Sequence, residues 1–191
     1  MCGIAGLWRD LRADQCPDLE TSVIAMAAAL SHRGPDDAGV WAEPSAGVAL
    51  AHQRLAILDL SAAGHQPMAS ASGRYVIAFN GEIYNHLCLR EQVKRSGAIV
   101  QPWRGHSDTE TLLAAIAAWG LDGALQRCKG MFALALWDRQ ERRLQLARDR
   151  FGEKPLYWGW LDSCWPENVG VCVRIGGNSS LSGCVSAGSE P

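Results

Sequence analysis

The stretch GMFALALWD at 130–138 is apolar on both of its alternating faces, so as a strand it must be covered on both sides. RYVIAFN at 74–80 is apolar through its middle in the same way. Helical patterns stand between such segments. Val23, Met26, Ala27 and Leu30 recur at helical spacing and predict a helix over 18–30, with Glu20 near its start. A second helix is predicted over 87–96. A third opens at SDTE, where Ser107 and Glu110 fit a capping box and Leu112, Leu113, Ile116 and Trp119 share one side. Doubly covered strands with helices between them in sequence give stacked sheets with helices outside. At 191 residues the chain suffices for one domain with a real core, not two.

The remaining elements are read from local signals. CGIAGLW (2–8) suits a buried strand, SHRGPDDAG (31–39) a loop, GVALAHQRLAIL (47–58) one or two strands, and AAGHQPM (62–68) a connecting loop. RYVIAFNGEIYN (74–85) reads as a strand running into a turn at Asn80-Gly81. Residues 130–159 have the pattern of a β-meander. From 161 to 191 the chain turns rich in Gly and Ser with little periodicity; only VGVCVRI could be a strand, and the tail is expected to be poorly ordered.

Charge and cysteine usage exclude several classes. A net charge of −2 argues against a nucleic-acid or anionic-membrane binder. Apolar runs such as VIAMAAAL at 23–30 are far short of a span, and Arg9, Asp10 and Arg12 interrupt any leader pattern. A cytoplasmic protein is expected. The seven cysteines are scattered without a C-x-x-C pair, matching neither a metal site nor a disulfide framework.

Five residues carry candidate chemistry. Removal of Met1 would leave Cys2 with a thiol and an α-amine on one carbon, and an α-amine titrating near ~7.7–8.0 can take the thiol proton; otherwise Cys2 is a small buried hydrophobe. The Asn80 side-chain N–H and the Gly81 main-chain N–H can together donate to an oxyanion, or form an Asn-Gly hairpin. Arg54, inside an apolar stretch, needs an anion: a substrate carboxylate, or Asp59 or another acid. Asp108 in the first turn of a helix either caps it or meets a substrate ammonium. HRGPDD could fold over Cys2 or be a solvated turn, and ARDRFGEKPLYWG reads as a structural hairpin.

The combination is specific. CGIAG, HRGPDD, QRLAILDLS, GHQPM, NGEIYN, SDTE and GMFALALWD followed by ARDRFGEKPLY, in this order, closely resemble the glutaminase domain of glutamine-dependent asparagine synthetases and relatives, the class II glutamine amidotransferases. The likeness covers roughly residues 2–159. It implies an α+β fold, the four-layer αββα sandwich of N-terminal nucleophile hydrolases, with two mainly antiparallel sheets between helical layers. It implies a domain over 2–160 followed by an atypical tail over 161–191. By resemblance Cys2 is the nucleophile that forms a γ-glutamyl thioester, and Asn80 and Gly81 are the oxyanion donors. Arg54 grips the glutamine α-carboxylate, Leu55, Ala56, Ile57 and Leu58 line the pocket, and Glu82 and Asp108 lie near the α-ammonium.

The resemblance further implies glutamine as substrate and a synthetase domain or chain as ammonia acceptor. The glutaminase half would need no cofactor; ATP and Mg would belong to a synthetase domain that this sequence lacks. RIGGNSSLSG (174–183) has the wrong order and no following helix pattern for a pyrophosphate loop. A truncated or frame-shifted product is therefore expected, and synthetase activity is not expected from this chain alone. The alternative is a non-catalytic truncated remnant that binds glutamine or a synthetase partner without turnover.

Overall fold

Two antiparallel sheets lie face to face, with a helix against one outer surface and two against the other. The structure, a computed structural model, describes residues 2–8, 18–98 and 102–159, and the backbone of 172–174 and 185–187. The first sheet holds β1 (Gly3–Trp8), β2 (Asp37–Glu43), β3 (Val48–Arg54) and β8 (Cys172–Arg174), in the order β2-β3-β1-β8. The second holds β4 (Met68–Ala69), β5 (Tyr75–Ile83), β6 (Gly130–Asp138), β7 (Arg143–Arg148) and β9 (Val185–Ala187), in the order β4-β5-β6-β7-β9. Helix α1 (Leu19–Ala28) covers the first sheet through Leu19, Val23 and Ala27 against Ala5, Leu7, Ala49 and Ala51. Helices α2 (His86–Arg95) and α3 (Asp108–Arg127) cover the second through Leu89, Val93, Leu112 and Ile116 against Ile77, Phe79 and Leu134. This is the αββα arrangement implied by the resemblance, and it accounts for the doubly apolar strands.

The space between the sheets is filled by every second residue of each strand. Ile4, Val48, Leu50, Val76, Ala78, Ala133, Ala135 and Trp137 form one buried cluster. Their neighbours in sequence point outward to the helices, as a period of two requires.

Several local expectations change. Asn80 and Gly81 do not turn: β5 runs straight through them, with Asn80 opposite Ala133 and Gly81 opposite Phe132. Glycine is needed at 81 for close approach, because a Cβ there would run into the Met131 carbonyl and the Phe132 backbone. The expected loop at 31–39 is a short 3₁₀ turn, Ser31–Arg33, leading into β2, an edge strand whose Asp37 and Gly39 disguised it. The expected loop at 62–68 contains a 3₁₀ turn, Ala62–Gly64, and ends in β4. Helix α3 follows its Ser107 cap, whose Oγ accepts the Glu110 N–H at 3.1 Å, but breaks at Gly120, where φ is 72°. The Glu110 carboxylate does not close the box on Ser107; it accepts from the N–H groups of Arg104 and Gly105 at 2.8 and 3.1 Å.

The meander stops at β7. Asp149 then collects the N–H groups of Phe132, Phe151, Glu153 and Lys154 at 2.9–3.2 Å, so DRFGEK, directly after β7, is a turn centred on a carboxylate. Within 161–191, β8 pairs with β1 and β9 with β7; the rest of that stretch lies outside the described residues. Among the described residues no helix is long and apolar enough to cross a membrane, and no cluster of three or more His, Cys, Asp or Glu is placed to hold a metal.

Candidate active site

The alternation that fills the inter-sheet core becomes polar at one end. Two residues beyond Leu50 on the same face of β3 stands His52, and two further Arg54; two beyond Ala78 on β5 stands Asn80. Cys2 precedes Ile4 by the same step. Cys2, Arg54 and Asn80 open onto a cleft of about 600 Å³, counting its solvent-open mouth, lined also by Leu55, Ile57, Leu58, Gly81, Glu82 and Asp108. Of the residues singled out from the sequence, Ala56 alone is not in the wall; its N–H donates to Asp36 Oδ2 at 2.8 Å.

Cys2 is half-buried, and its sulfur accepts the Leu55 N–H at 3.3 Å and faces the Leu55 carbonyl at 3.6 Å. Burial pushes its thiol pKa up, against the opposing pull of the Leu55 N–H and the Arg54 charge. The sulfur therefore keeps its proton at neutral pH unless a base removes it. HRGPDD does fold over this residue: Arg33 Nε donates to the Cys2 carbonyl at 3.3 Å.

Arg54 is buried and held by main-chain oxygens, donating to Ser61 O at 3.0 Å and to Asp59 O, with Asp37 Oδ2 at 3.9 Å. It makes no ion pair with the Asp59 carboxylate. That carboxylate instead accepts from Ser61 N–H, Ser61 Oγ and His106 N–H at 2.9, 2.6 and 2.8 Å, which hold its pKa down at about 2. Gly64 leaves room for the guanidinium, since a Cβ there would run into it.

On the opposite wall the main chain of β5 alternates in direction. The Phe79 N–H donates to Gln66 Oε1 at 2.7 Å, and the Ile83 N–H to Asp108 Oδ2 at 2.8 Å. The Gly81 N–H points to the same edge, between those two. Asn80 is 2% exposed, and its Nδ2 has no acceptor among the described residues. A buried amide N–H₂ left without a partner is costly, so it points to a ligand that accepts from it. Burial raises the Asp108 pKa while the Ile83 N–H draws it down. A cation in the cleft would offset the cost of its charge.

A family model described as the glutamine amidotransferase domain matches residues 1–165. The chain belongs to that family. It is 41% identical over 167 residues to a putative glutamine-hydrolyzing asparagine synthetase of Mycobacterium tuberculosis, covering 82% of this chain and 25% of that one. Against the glutamine-hydrolyzing asparagine synthetase 3 of Bacillus subtilis it is 39% identical over 160 residues, covering 83% and 25%. Against asparagine synthetase B of Escherichia coli it is 38% identical over 160 residues, covering 84% and 27%. The chain thus spans about a quarter of the length of these relatives and is a glutamine amidotransferase domain of the kind found in asparagine synthetase homologues. The fold matches that of glutamine phosphoribosylpyrophosphate amidotransferase from B. subtilis with a TM-score of 0.67 at 20% identity, covering 91% of this chain and 44% of that one.

Sequence reasoning passed over several residues in the cleft or beside it. Lys154 and Gln66 line it, buried, and Thr109 meets Gln66 Nε2 through its Oγ1 at 3.3 Å. His52 lies beneath, 1% exposed, with Nε2 3.0 Å from the Phe79 carbonyl. His52 was accessible in principle, because it stands two positions before Arg54 in the same apolar strand. Nothing local to EKP announces Lys154; the Asp149 turn delivers it.

Proposed function

We propose that this domain hydrolyses glutamine to glutamate and ammonia through a thioester on Cys2. The observation that carries the reading is the buried Asn80 amide, without an acceptor among the described residues, in one cleft with the Cys2 sulfur. Glutamine is a zwitterion with an amide at its far end. Arg54 receives its α-carboxylate, and Asp108 with Glu82 receives its α-ammonium. Leu55, Ile57 and Leu58 flank its methylenes.

Release of Met1 frees an α-amine on Cys2, which supplies the base that the raised thiol pKa calls for. The thiolate adds to the side-chain carbonyl carbon, and the oxyanion takes hydrogen bonds from Asn80 Nδ2 and Gly81 N–H. The C–N bond then breaks as the nitrogen gains a proton, and ammonia leaves a thioester. Water adds to that thioester and returns the sulfur with its proton, so one glutamine and one water yield one glutamate and one ammonia. No group in this sequence of steps is a cofactor. In a longer protein resembling the relatives, a synthetase part in the same cytoplasmic chain or a separate one would consume the ammonia.

The test is glutamate release from glutamine by the purified chain, with mass spectrometry of its N-terminus. Cys2→Ala is expected to lower turnover by ~10⁴-fold or more with the fold intact. Turnover retained in that variant would overturn the mechanism. Glutamine binding without turnover, in a wild-type chain free of Met1, would favour a binding remnant.

A further inference from the structure

We propose that His52 and Gln66 are positioning residues that pin the Phe79–Asn80–Gly81 segment of β5 against the Cys2 sulfur, a role that rests on the amidotransferase reading above. The need for a pin comes from the topology. Strand β4 pairs with β5 only at Met68–Ile77 and Ala69–Val76, so past Ile77 the outward main chain of β5 has no strand beside it. The oxyanion donors lie in that unpaired stretch.

Two side chains take the place of the missing strand. Gln66 Oε1 accepts the Phe79 N–H at 2.7 Å, and His52 Nε2 meets the Phe79 carbonyl at 3.0 Å. Since a carbonyl only accepts, the imidazole carries its proton on Nε2 and donates it. His52 Nδ1 has no partner among the described residues, and burial holds the ring pKa down at about 4, so the ring is neutral at pH 7 and its contact is a tether. Gln66 Nε2 also donates to Thr109 Oγ1 at 3.3 Å, in the residue after Asp108. His52 belongs to β3, two residues before Arg54. One main-chain unit, Phe79, thus ties the strand bearing the carboxylate grip, the helix start bearing Asp108 and the strand bearing the oxyanion donors. The register at stake is unforgiving. A slip of one residue along β5 would send the Asn80 side chain to the helix side of the sheet and bring Phe79 or Gly81 to the cleft.

His52→Leu and Gln66→Met each remove one tether at similar volume, while His52→Gln offers an N–H donor in its place. Misplacement of reacting groups by an ångström costs on the order of 10²-fold, so kcat for glutamine hydrolysis is expected to fall about 10- to 100-fold in the first two variants. KM should stay within about threefold, and His52→Gln should recover most of kcat, because the tether is lost but the α-carboxylate and α-ammonium sites are kept. Near-normal kcat in folded His52→Leu and Gln66→Met, or a loss confined to KM, would overturn the proposal. If His52→Leu does not fold, Gln66→Met decides. Amide hydrogen exchange supplies a readout without turnover: in Gln66→Met the Phe79 N–H should exchange at least about tenfold faster than in the wild type. Unchanged protection of Phe79 sinks the pin, whereas a wild-type chain that releases no glutamate sinks the amidotransferase reading.

Discussion

The space between the two sheets has two ends built from the same strands. At one, Val48 of β3, Val76 of β5 and Trp137 of β6 pack in a buried apolar cluster, with Trp8 of β1 against it. At the other, the alternation that supplies those residues presents Arg54 and Asn80, with Cys2 just before β1. The apolar end gains stability by excluding water, and none of its described residues has a buried polar side-chain atom without a partner. The polar end holds a buried guanidinium, a raised thiol pKa and an amide without an acceptor. A sheet sandwich can carry such a site because the apolar end holds the same strands in place.

The contrast can be broken by substitutions at either end. Trp137→Ala should cost ~3–5 kcal/mol of stability, by cavity formation and loss of its Nε1–Glu43 contact at 3.4 Å, with little change in KM for glutamine in the folded fraction. Urea titration measures it, and a loss below ~1 kcal/mol would mean that this end does not support the fold. Asn80→Ala should do the reverse: roughly 10²–10³ lower turnover, with stability unchanged or improved because an orphan donor is removed. A large loss of stability with normal turnover would assign Asn80 to the scaffold.

The smallest effect concerns His52, between the two ends. Its pKa is about 4 in the folded chain against an ordinary 6.5, chiefly through burial. The native state therefore binds fewer protons than the unfolded chain in that window. The stability from keeping the ring neutral is complete above pH ~6.5 and is lost as the pH falls toward 4, by up to ~3 kcal/mol. Denaturation midpoints measured across pH 4–7 should show that loss, and His52→Gln should flatten it.

The layers were legible from the sequence because the signals are periodic. MFALALW and RYVIAF are apolar on both faces, and only a strand between two covered surfaces satisfies that. The first and third helices carried apolar residues at helical spacing, and the third its Ser107 cap, whereas the second has no side-chain cap. Asn80-Gly81 misled because the same dipeptide serves a hairpin turn and a strand that must approach its neighbour without a Cβ. Strand β2 was hidden by residues with poor strand preference, and its pairing with β3 is what places Asp37 beside Arg54.

Residue order along each strand determined the layers, the buried face and the meeting of a thiol, a cation and an amide at one end, since a period of two is a property of the backbone. Which partner each polar group takes was decided only in the folded molecule. Arg54 had Asp59 five residues away and took its carbonyl, while the Asp59 carboxylate went to His106; Asp149 drew in Lys154. Such choices depend on distances of a few tenths of an ångström between segments far apart in the chain, and these exist only once the sheets have packed.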